Sequence, residues 1–450
     1  MNNISLYKSF LFIGFLLMQQ CTLLGQNVSI SPIAHAQRVY EQFAAGQGDS
    51  LYNGLSKEVQ LQLTPDAFNG MYKQVEQQFG KLQSKGEWQE TQAQGHTFYF
   101  TDLKFAQGSL RFLLSFDADG CINTIRLMPV PQESVATSEA TGCDKTKLSE
   151  QEITITTDGF NLPGTLTMPV GKTNVPIVIL IHGSGPNDRD ETIGPNKPFR
   201  DIAWGLANAG IASIRYDKRT KVYGAKSVPT GRAMDYDVEA VDDAVSAVNK
   251  AKTLKGVAPD SIYVLGHSLG GTLAPRIAER AKGLKGIIIL AGLARPLEDA
   301  VVQQTEYLSS LADSSALGKA QVAEIRQQAQ NIKKLGTVAF DNKIPMLFNT
   351  PQSYWALANA YKPVAVASKL SLPILILQGE RDYQVTMEDF GLWRAGLLKH
   401  KNVFFKSYPK LNHIMQEGVG KSMPAEYNKR SSVPVYLIND IASFIRNNRL

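Results

Sequence analysis

The hydrophobic rhythm of the chain changes twice. In the first stretch, Val28 to Val130, two helical patterns come first, "AHAQRVYEQFAAG" and "DAFNGMYKQVEQQFGKL". Three strand-like stretches follow, "HTFYFTDLKFA", "SLRFLLSFDADG" and "CINTIRLMPV", with "DADG" supplying a hairpin turn. That order predicts a small α+β domain over 27–130. Residues 131–149, "PQESVATSEATGCDKTKLS", are small, polar and without period, which is linker chemistry. From Glu150 onward the pattern changes again. "QEITITTDGFNLPGTLTMP" predicts a strand pair turning at Asp158-Gly159. Apolar runs ("VPIVILIHG", "IASIRYDKR", "SIYVLGHS", "GIIILAG", "LPILILQGERD", "VFFKSYPKLNH") then alternate with helical ones ("FRDIAWGLANAG", "DYDVEAVDDAVSAVNKAK", "GGTLAPRIAERAK"). Continuous Val/Ile/Leu runs belong to strands covered on both faces. Their alternation with helices predicts an α/β domain over 150–450, a mostly parallel sheet with helices on both sides. Helical and irregular sequence at 296–365 interrupts the alternation and predicts a helical cap insertion above the sheet edge.

Composition adds little to this picture and removes several alternatives. With 43% hydrophobic and 20% charged residues the chain can fill at least one large core. The net charge of +6 is spread thinly, with no arginine-rich run or basic helix, so nucleic acid is excluded as an expected partner. At the N-terminus Lys8 precedes the apolar run Phe10–Met18, "FLFIGFLLM". That run is too short for a bilayer-spanning helix and suits the apolar core of a signal peptide over 1–26. It predicts export to the periplasm or the medium, with no stable membrane insertion once the signal is removed. Gln20 is bulky where a lipoprotein signal requires a small residue, which argues against an anchor at Cys21. Cys121 and Cys143 are the remaining thiols, and an oxidising compartment leaves both pairing and the reduced state open. There is no C-x-x-C and no His/Cys/Asp cluster, so neither a metal site nor a cofactor is expected.

The candidate chemistry begins at "YVLGHSLGGTLA", Tyr263 to Ala274. It fits G-x-S-x-G with Ser268 at the centre, an expected strand before it and an expected helix after it. A turn that sharp needs Gly266 and Gly270 where a side chain would collide, and it lifts the Ser268 hydroxyl above the sheet. A serine hydroxyl is a poor nucleophile without a base. Of the two histidines after Ser268, His400 sits in the basic helix end "LLKHKN", whereas His413 in "YPKLNH" follows the last strand and reaches the same sheet edge. "ILILQGERDYQV" offers Asp382, and also Glu380, to orient that histidine; Asp382 lies deeper in the loop. The order Ser, Asp, His suits an α/β-hydrolase sheet. Oxyanion donors are expected from the backbone N–H of Leu269 and, in "ILIHGSGPNDRDE", of Ser184, with Gly185 close behind; "NDRDE" itself reads as a solvated loop.

In "DGFNLPGTL", "HGSGP", "RYDKR", "GHSLGG", "GERD" and "LNH", taken in order, residues 150–450 resemble the α/β-hydrolase superfamily. The branch is that of bacterial serine esterases related to the prolyl oligopeptidase and dienelactone hydrolase families. The preceding domain resembles, in shape and position, a small export-associated α+β domain of undefined function found ahead of such hydrolases. The resemblance implies Ser268, Asp382 and His413 as catalytic triad and Ser184 and Leu269 as oxyanion donors. It implies ester cleavage through an acyl-enzyme, on a small-molecule substrate. Tyr354, Trp355 and Tyr361 in "PQSYWALANAYKPV" are core residues by their spacing, or else walls of the substrate pocket. The insertion lacks the long apolar stretches of a lipase lid, which implies small soluble esters with short acyl groups. Two other functions stay open: a peptidase or amidase with the same triad, for which Asp188, Asp190 and Glu191 could hold a peptide terminus, and a non-catalytic cell-envelope binding protein.

Overall fold

A computed structural model describes residues 31–448 apart from 61–71, 73–74, 77–78, 94–95, 107, 131–142 and 312–315. The expected signal peptide over 1–26, with Cys21, most of the expected helix at 66–82 and most of the expected linker lie outside the described residues. The chain divides into two compact units, residues 1–133 and 134–450.

The first unit packs helix α1 (Pro32–Ala44) on an antiparallel sheet. Ser31 Oγ accepts from Ala34 N at 3.2 Å and caps the helix, and Pro32 stands in its first turn, where a missing N–H costs nothing. Ala36, Val39, Tyr40 and Phe43 repeat at helical spacing and are buried. The sheet has strands β1 (Leu82–Lys85), β2 (Gln89–Ala93), β3 (His96–Phe105), β4 (Gly108–Phe116) and β5 (Ile122–Pro129) in the order β1-β3-β4-β5, with β2 also paired to β3. Leu110, Phe112 and Leu114 point to the helix side at the period of two that a half-covered strand requires. The turn between β4 and β5 is closed by Asp117 Oδ1, which accepts from Asp119 N and Cys121 N. β1 and β2, "LQSK" and "QETQA", carry no apolar alternation and went unread in the sequence; pairing with β3, not burial, makes them strands.

The second unit carries an eight-stranded sheet in the order β13-β12-β11-β10-β8-β9-β7-β6. Its strands are β6 (Leu148–Thr157), β7 (Phe160–Pro169), β8 (Val175–Ile181), β9 (Ala212–Tyr216), β10 (Val257–His267), β11 (Leu284–Leu290), β12 (Ile374–Gly379) and β13 (Val403–Tyr408). β7 runs antiparallel to β6 and β9, and every pairing from β9 to β13 is parallel. Asp158 and Gly159 both take positive φ, 45° and 83°, as a two-residue hairpin with the right-handed strand twist demands. Side chains divide cleanly between faces. Val178, Leu180, Leu265 and Leu375 pack under helices α2 (Pro198–Asn208) and α3 (Val435–Asn447). Ile177, Ile179, Val264 and Ile376 pack on the other face, under α4 (Asp242–Ala251), α5 (Leu269–Arg280) and α6 (Met387–Leu397). Between β11 and β12 lies the insertion, with helices Leu297–Leu311, Ala316–Ile332, Gln352–Ala360 and Pro363–Ala367. From β8 the chain steps to β9 on one side and then reverses to β10 on the other. The loops after β8 and β10 therefore open side by side, at the switch point where open α/β sheets build their sites. Among the described residues, no helix is long and apolar enough to cross a membrane.

Candidate active site

Ser268 occupies the single residue between β10 and α5, at φ 54° and ψ −116°. A side chain is strained there by roughly 1–3 kcal/mol, and the surroundings must enforce the conformation. They do so through Ser268 N, which donates to Leu290 O at 2.9 Å, and Ser268 O, which accepts from Thr272 N at 2.9 Å. Gly266 and Gly270 let β10, β8 and α5 meet without side chains. A Cβ on Gly266 would overlap the Gly270 carbonyl, and one on Gly270 would overlap the Ile181 carbonyl. The first turn of α5 aims its unpaired N–H groups, Leu269 N among them, toward the space around Ser268. Gly183, in the loop after β8, lies beside the serine: a Cβ there would sit 3.6 Å from Ser268 Oγ.

His413 and Asp382 arrive from the loops after β13 and β12, which neighbour each other in the sheet. His413 Nδ1 lies 2.7 Å from Asp382 Oδ2, with both side chains buried. Asp382 Oδ1 accepts from Gln384 N at 2.7 Å and Val385 N at 3.0 Å, and Gln378 Nε2 donates to Oδ2 at 3.3 Å. With every lone pair facing a donor, the carboxylate fixes the hydrogen of His413 on Nδ1 and leaves Nε2 as the basic atom. Glu380 instead accepts from Ser407 Oγ, and Arg381 is paired to Glu426 and not to Asp382. His400 Nε2 is bonded to Leu370 O ahead of β12, at the opposite end of the sheet from Ser268.

The loop after β8 is held from below by a buried ion pair that sequence reading missed. Gly183 O accepts from Lys218 Nζ at 2.8 Å, and Lys218 Nζ donates to Glu239 Oε1 at 2.6 Å. Glu239 Oε1 also accepts from Gly185 N at 3.2 Å, and Tyr354 OH donates to Glu239 Oε2 at 2.8 Å. Burial would raise the Glu239 carboxyl, but Lys218 and the hydrogen bonds outweigh it and hold it below the ordinary range. In a trans peptide the C=O and N–H point in opposite directions. With Gly183 O turned down to Lys218, Ser184 N–H is turned away from that pair. Ser184 is exposed, and its N–H meets no acceptor among the described residues. Glu239 lies in a π-helical turn, Asp237–Val241, that leads into α4 and is anchored by Arg276 of α5 on Asp237 at 2.6 and 2.7 Å. A glutamate inside an apolar helical face, between Val238 and Ala240, is the signal that could have flagged it.

One expectation needs correction. "NDRDE" is no solvated loop: Glu191 is 2% exposed, and the residues before it are half-buried. Arg189 bridges Asp217 and Glu152, Asp190 pairs with Lys197 and Arg215, and Asp188 Oδ1 accepts from Asp190 N and Thr192 N. A short loop at the switch point has to pack, and its charges satisfy one another to do so. Of the two readings open for Tyr354, Trp355 and Tyr361, core placement is the one their burial matches: they are 6%, 0% and 7% exposed in the core of the α4–α5 face. Their polar atoms bond to Glu239, Thr350 and Thr272 O.

His182 follows β8 directly and packs against Phe199 and Tyr216, buried, and its Nε2 has no hydrogen-bond partner among the described residues. Burial pushes its pKa down to about 4, partly opposed by the Glu191 charge. The ring is thus neutral in the fold, whereas the unfolded chain takes up a proton near pH 6.5. Its contribution is complete above about pH 6.5 and is lost as pH falls toward about 4, on the order of 3 kcal/mol in all. Urea unfolding at about pH 7.5 and 4.5 should show a smaller acid loss in His182→Phe than in the wild type by about that amount. Equal losses refute it.

The serine aminopeptidase S33 family model matches residues 176–417, and a family model described as a protein of unknown function matches 36–124. Esterase EstD of Thermotoga maritima is 35% identical over 401 residues, a match covering 88% of this chain and 91% of that one. That match is longer than the second unit and so extends into the first. Among solved structures, Est1E from Butyrivibrio proteoclasticus is 18% identical with a TM-score of 0.43, covering 66% of this chain and 98% of its own. The esterase of Pyrobaculum calidifontis is 18% identical with the same TM-score, covering 66% and 85%. A family model that takes in more than half of the residues, together with a relative matched along most of both chains, settles the lineage: this chain belongs to the serine aminopeptidase S33 family of α/β-hydrolases.

Proposed function

We propose that the chain is a serine hydrolase of carboxylic esters with small acyl groups. The observation that carries this is the buried 2.7 Å contact of His413 Nδ1 with Asp382 Oδ2, at the strand ends that also present Ser268 in its strained turn. Ser268 Oγ attacks the ester carbonyl and its proton passes to His413 Nε2. The oxyanion that forms is held by the N–H groups of Leu269 and Ser184. Collapse breaks the bond to the alcohol, which leaves with the proton from His413. Water then loses a proton to the same imidazole and attacks the acyl-enzyme, and breakdown of that second oxyanion frees the acid and restores Ser268. The similarity to an esterase along most of the chain supports the substrate class. The apolar run Phe10–Met18 supports action outside the cytoplasm.

The family model carries a peptidase description, so the amide reading is the competitor. A peptidase acting at an amino terminus needs carboxylates facing the substrate ammonium. Asp188, Asp190 and Glu191 are all committed to other partners, which favours the ester. Side-by-side turnover of p-nitrophenyl acetate and an aminoacyl anilide tests this. Faster ester cleavage is expected, with fluorophosphonate labelling that Ser268→Ala abolishes. Faster anilide cleavage reverses the ranking, and absence of labelling in the wild type removes the enzymatic reading in favour of a binding protein.

A further inference from the structure

Glu191 and His267 perform none of the steps above, yet together they touch all three parts of the site. Glu191 Oε1 accepts from Gly183 N, in the oxyanion loop, at 2.7 Å. Glu191 Oε2 lies 2.9 Å from His267 Nδ1. His267 Nε2 lies 2.8 Å from the backbone carbonyl of His413, and His267 itself immediately precedes Ser268. Both side chains are buried. The Nδ1–Oε2 contact is out of line with the ring N–H direction, and neither atom has another partner among the described residues. It is a contact between charges more than an aligned hydrogen bond.

Proton accounting follows from the partners. A carbonyl oxygen only accepts, so His267 Nε2 carries a hydrogen. Were Nδ1 bare and Glu191 ionised, an anionic oxygen would lie 2.9 Å from an electron-rich ring nitrogen in a dry interior with no donor to either, which is repulsive. One more proton therefore resides in the pair, which is an imidazolium beside a carboxylate with no net charge. The other groups around the pair are His182 on the Glu191 side, Asp382 and His413 on the base side, and Phe199 at 6.4 Å from the His267 ring. Burial lowers the pKa of His267, but the Glu191 charge and the His413 carbonyl outweigh it and raise it above the ordinary value. Glu191 in turn is held below the ordinary carboxylate range: burial opposes this, and the His267 charge prevails. Glu191 adopts φ 52°, a conformation unfavourable for its residue type that its contacts have to enforce.

We propose that the Glu191–His267 pair is a positioning clamp: by retaining one buried proton it fixes the distances between the nucleophile turn, the oxyanion loop and the backbone of the general base. The proposal rests on the serine-hydrolase reading. It makes Glu191 and His267 positioning residues, with no contact to the substrate. Catalysis is steep in geometry, and a displacement of about 1 Å costs on the order of 10² in rate.

The test combines a wild-type measurement with a variant. Nitrogen-15 NMR of the ring-labelled wild type should show both His267 nitrogens protonated at about pH 7. Glu191→Gln should fold, bind substrate with nearly unchanged KM, and lose on the order of 10² in kcat. Fluorophosphonate should still label its Ser268, more slowly, and Glu191→Asp should recover part of the rate. A wild-type His267 with one bare ring nitrogen overturns the clamp, whether or not the variant folds. So does a folded Glu191→Gln with wild-type kcat. Either result, with labelling still lost in Ser268→Ala, leaves the hydrolase reading intact, whereas sustained ester turnover in Ser268→Ala overturns that reading itself.

Discussion

His413→Ala is expected to hydrolyse p-nitrophenyl acetate some 10⁴- to 10⁶-fold more slowly than the wild type, with its circular dichroism unchanged. The size follows from what the imidazole does. In the proposed mechanism it takes the proton from Ser268 in the first half of the reaction and activates water in the second, so both halves fail without it. The fold should survive because the loop after β13 is held by other bonds: Asn412 Oδ1 accepts from Ile414 N and Gln416 N, and Arg381 N donates to Leu411 O. Ser268→Ala should lose a similar amount, and the double variant hardly more than either alone, since groups that act as one unit are not additive. A single-variant rate within about tenfold of the wild type would assign the base to another residue.

Gly270→Ala is expected to yield no folded protein. The added Cβ would overlap the Ile181 carbonyl and lie 2.7 Å from the His182 carbonyl oxygen, both rigid backbone at the end of β8. Neither can retreat: β8 is the central strand, hydrogen-bonded to β9 and β10 on its two sides. Helix α5 would have to lift off the sheet, abandoning the packing of Leu269, Leu273 and Ile277. That exceeds about 4–5 kcal/mol, a large part of the roughly 5–15 kcal/mol that holds a typical domain together. Gly391→Ala is the control. It lies within α6, where a Cβ meets nothing within 4 Å, and the change should raise stability by up to about 1 kcal/mol. Soluble yield and thermal unfolding of the two variants decide the matter; a stable Gly270→Ala contradicts the close approach.

The places of Ser268, Asp382 and His413 in the fold could be read from the sequence because each follows an apolar strand run and so stands at a strand end of the large sheet. The strands of the large sheet were equally legible, being covered on both faces and therefore uniformly apolar. Glu191 was hidden by its neighbours, since five polar residues in a row look like a solvent-facing loop until the pairs Arg189–Asp217 and Asp190–Lys197 are seen to neutralise them. Lys218 and Glu239 were hidden by distance: their partners lie 21 or more residues away and nothing local marks the pairing. Tyr354 shows the limit from the other side. Its bulk was visible in the sequence, but its hydroxyl bond to a buried carboxylate was not.

The proposed reactive groups enter the chain at 268, 382 and 413, and β12 and β13 must join the sheet beside β11 before all three stand at one edge. Synthesis thus delivers the proposed nucleophile early and its proposed activating imidazole near the finish. Throughout elongation the emerging polypeptide carries a serine with no partner to ionise it. Onset of turnover would accordingly report completion of the last parallel strand, and a ribosome-stalled chain ending before residue 413 should be folded in part and chemically silent.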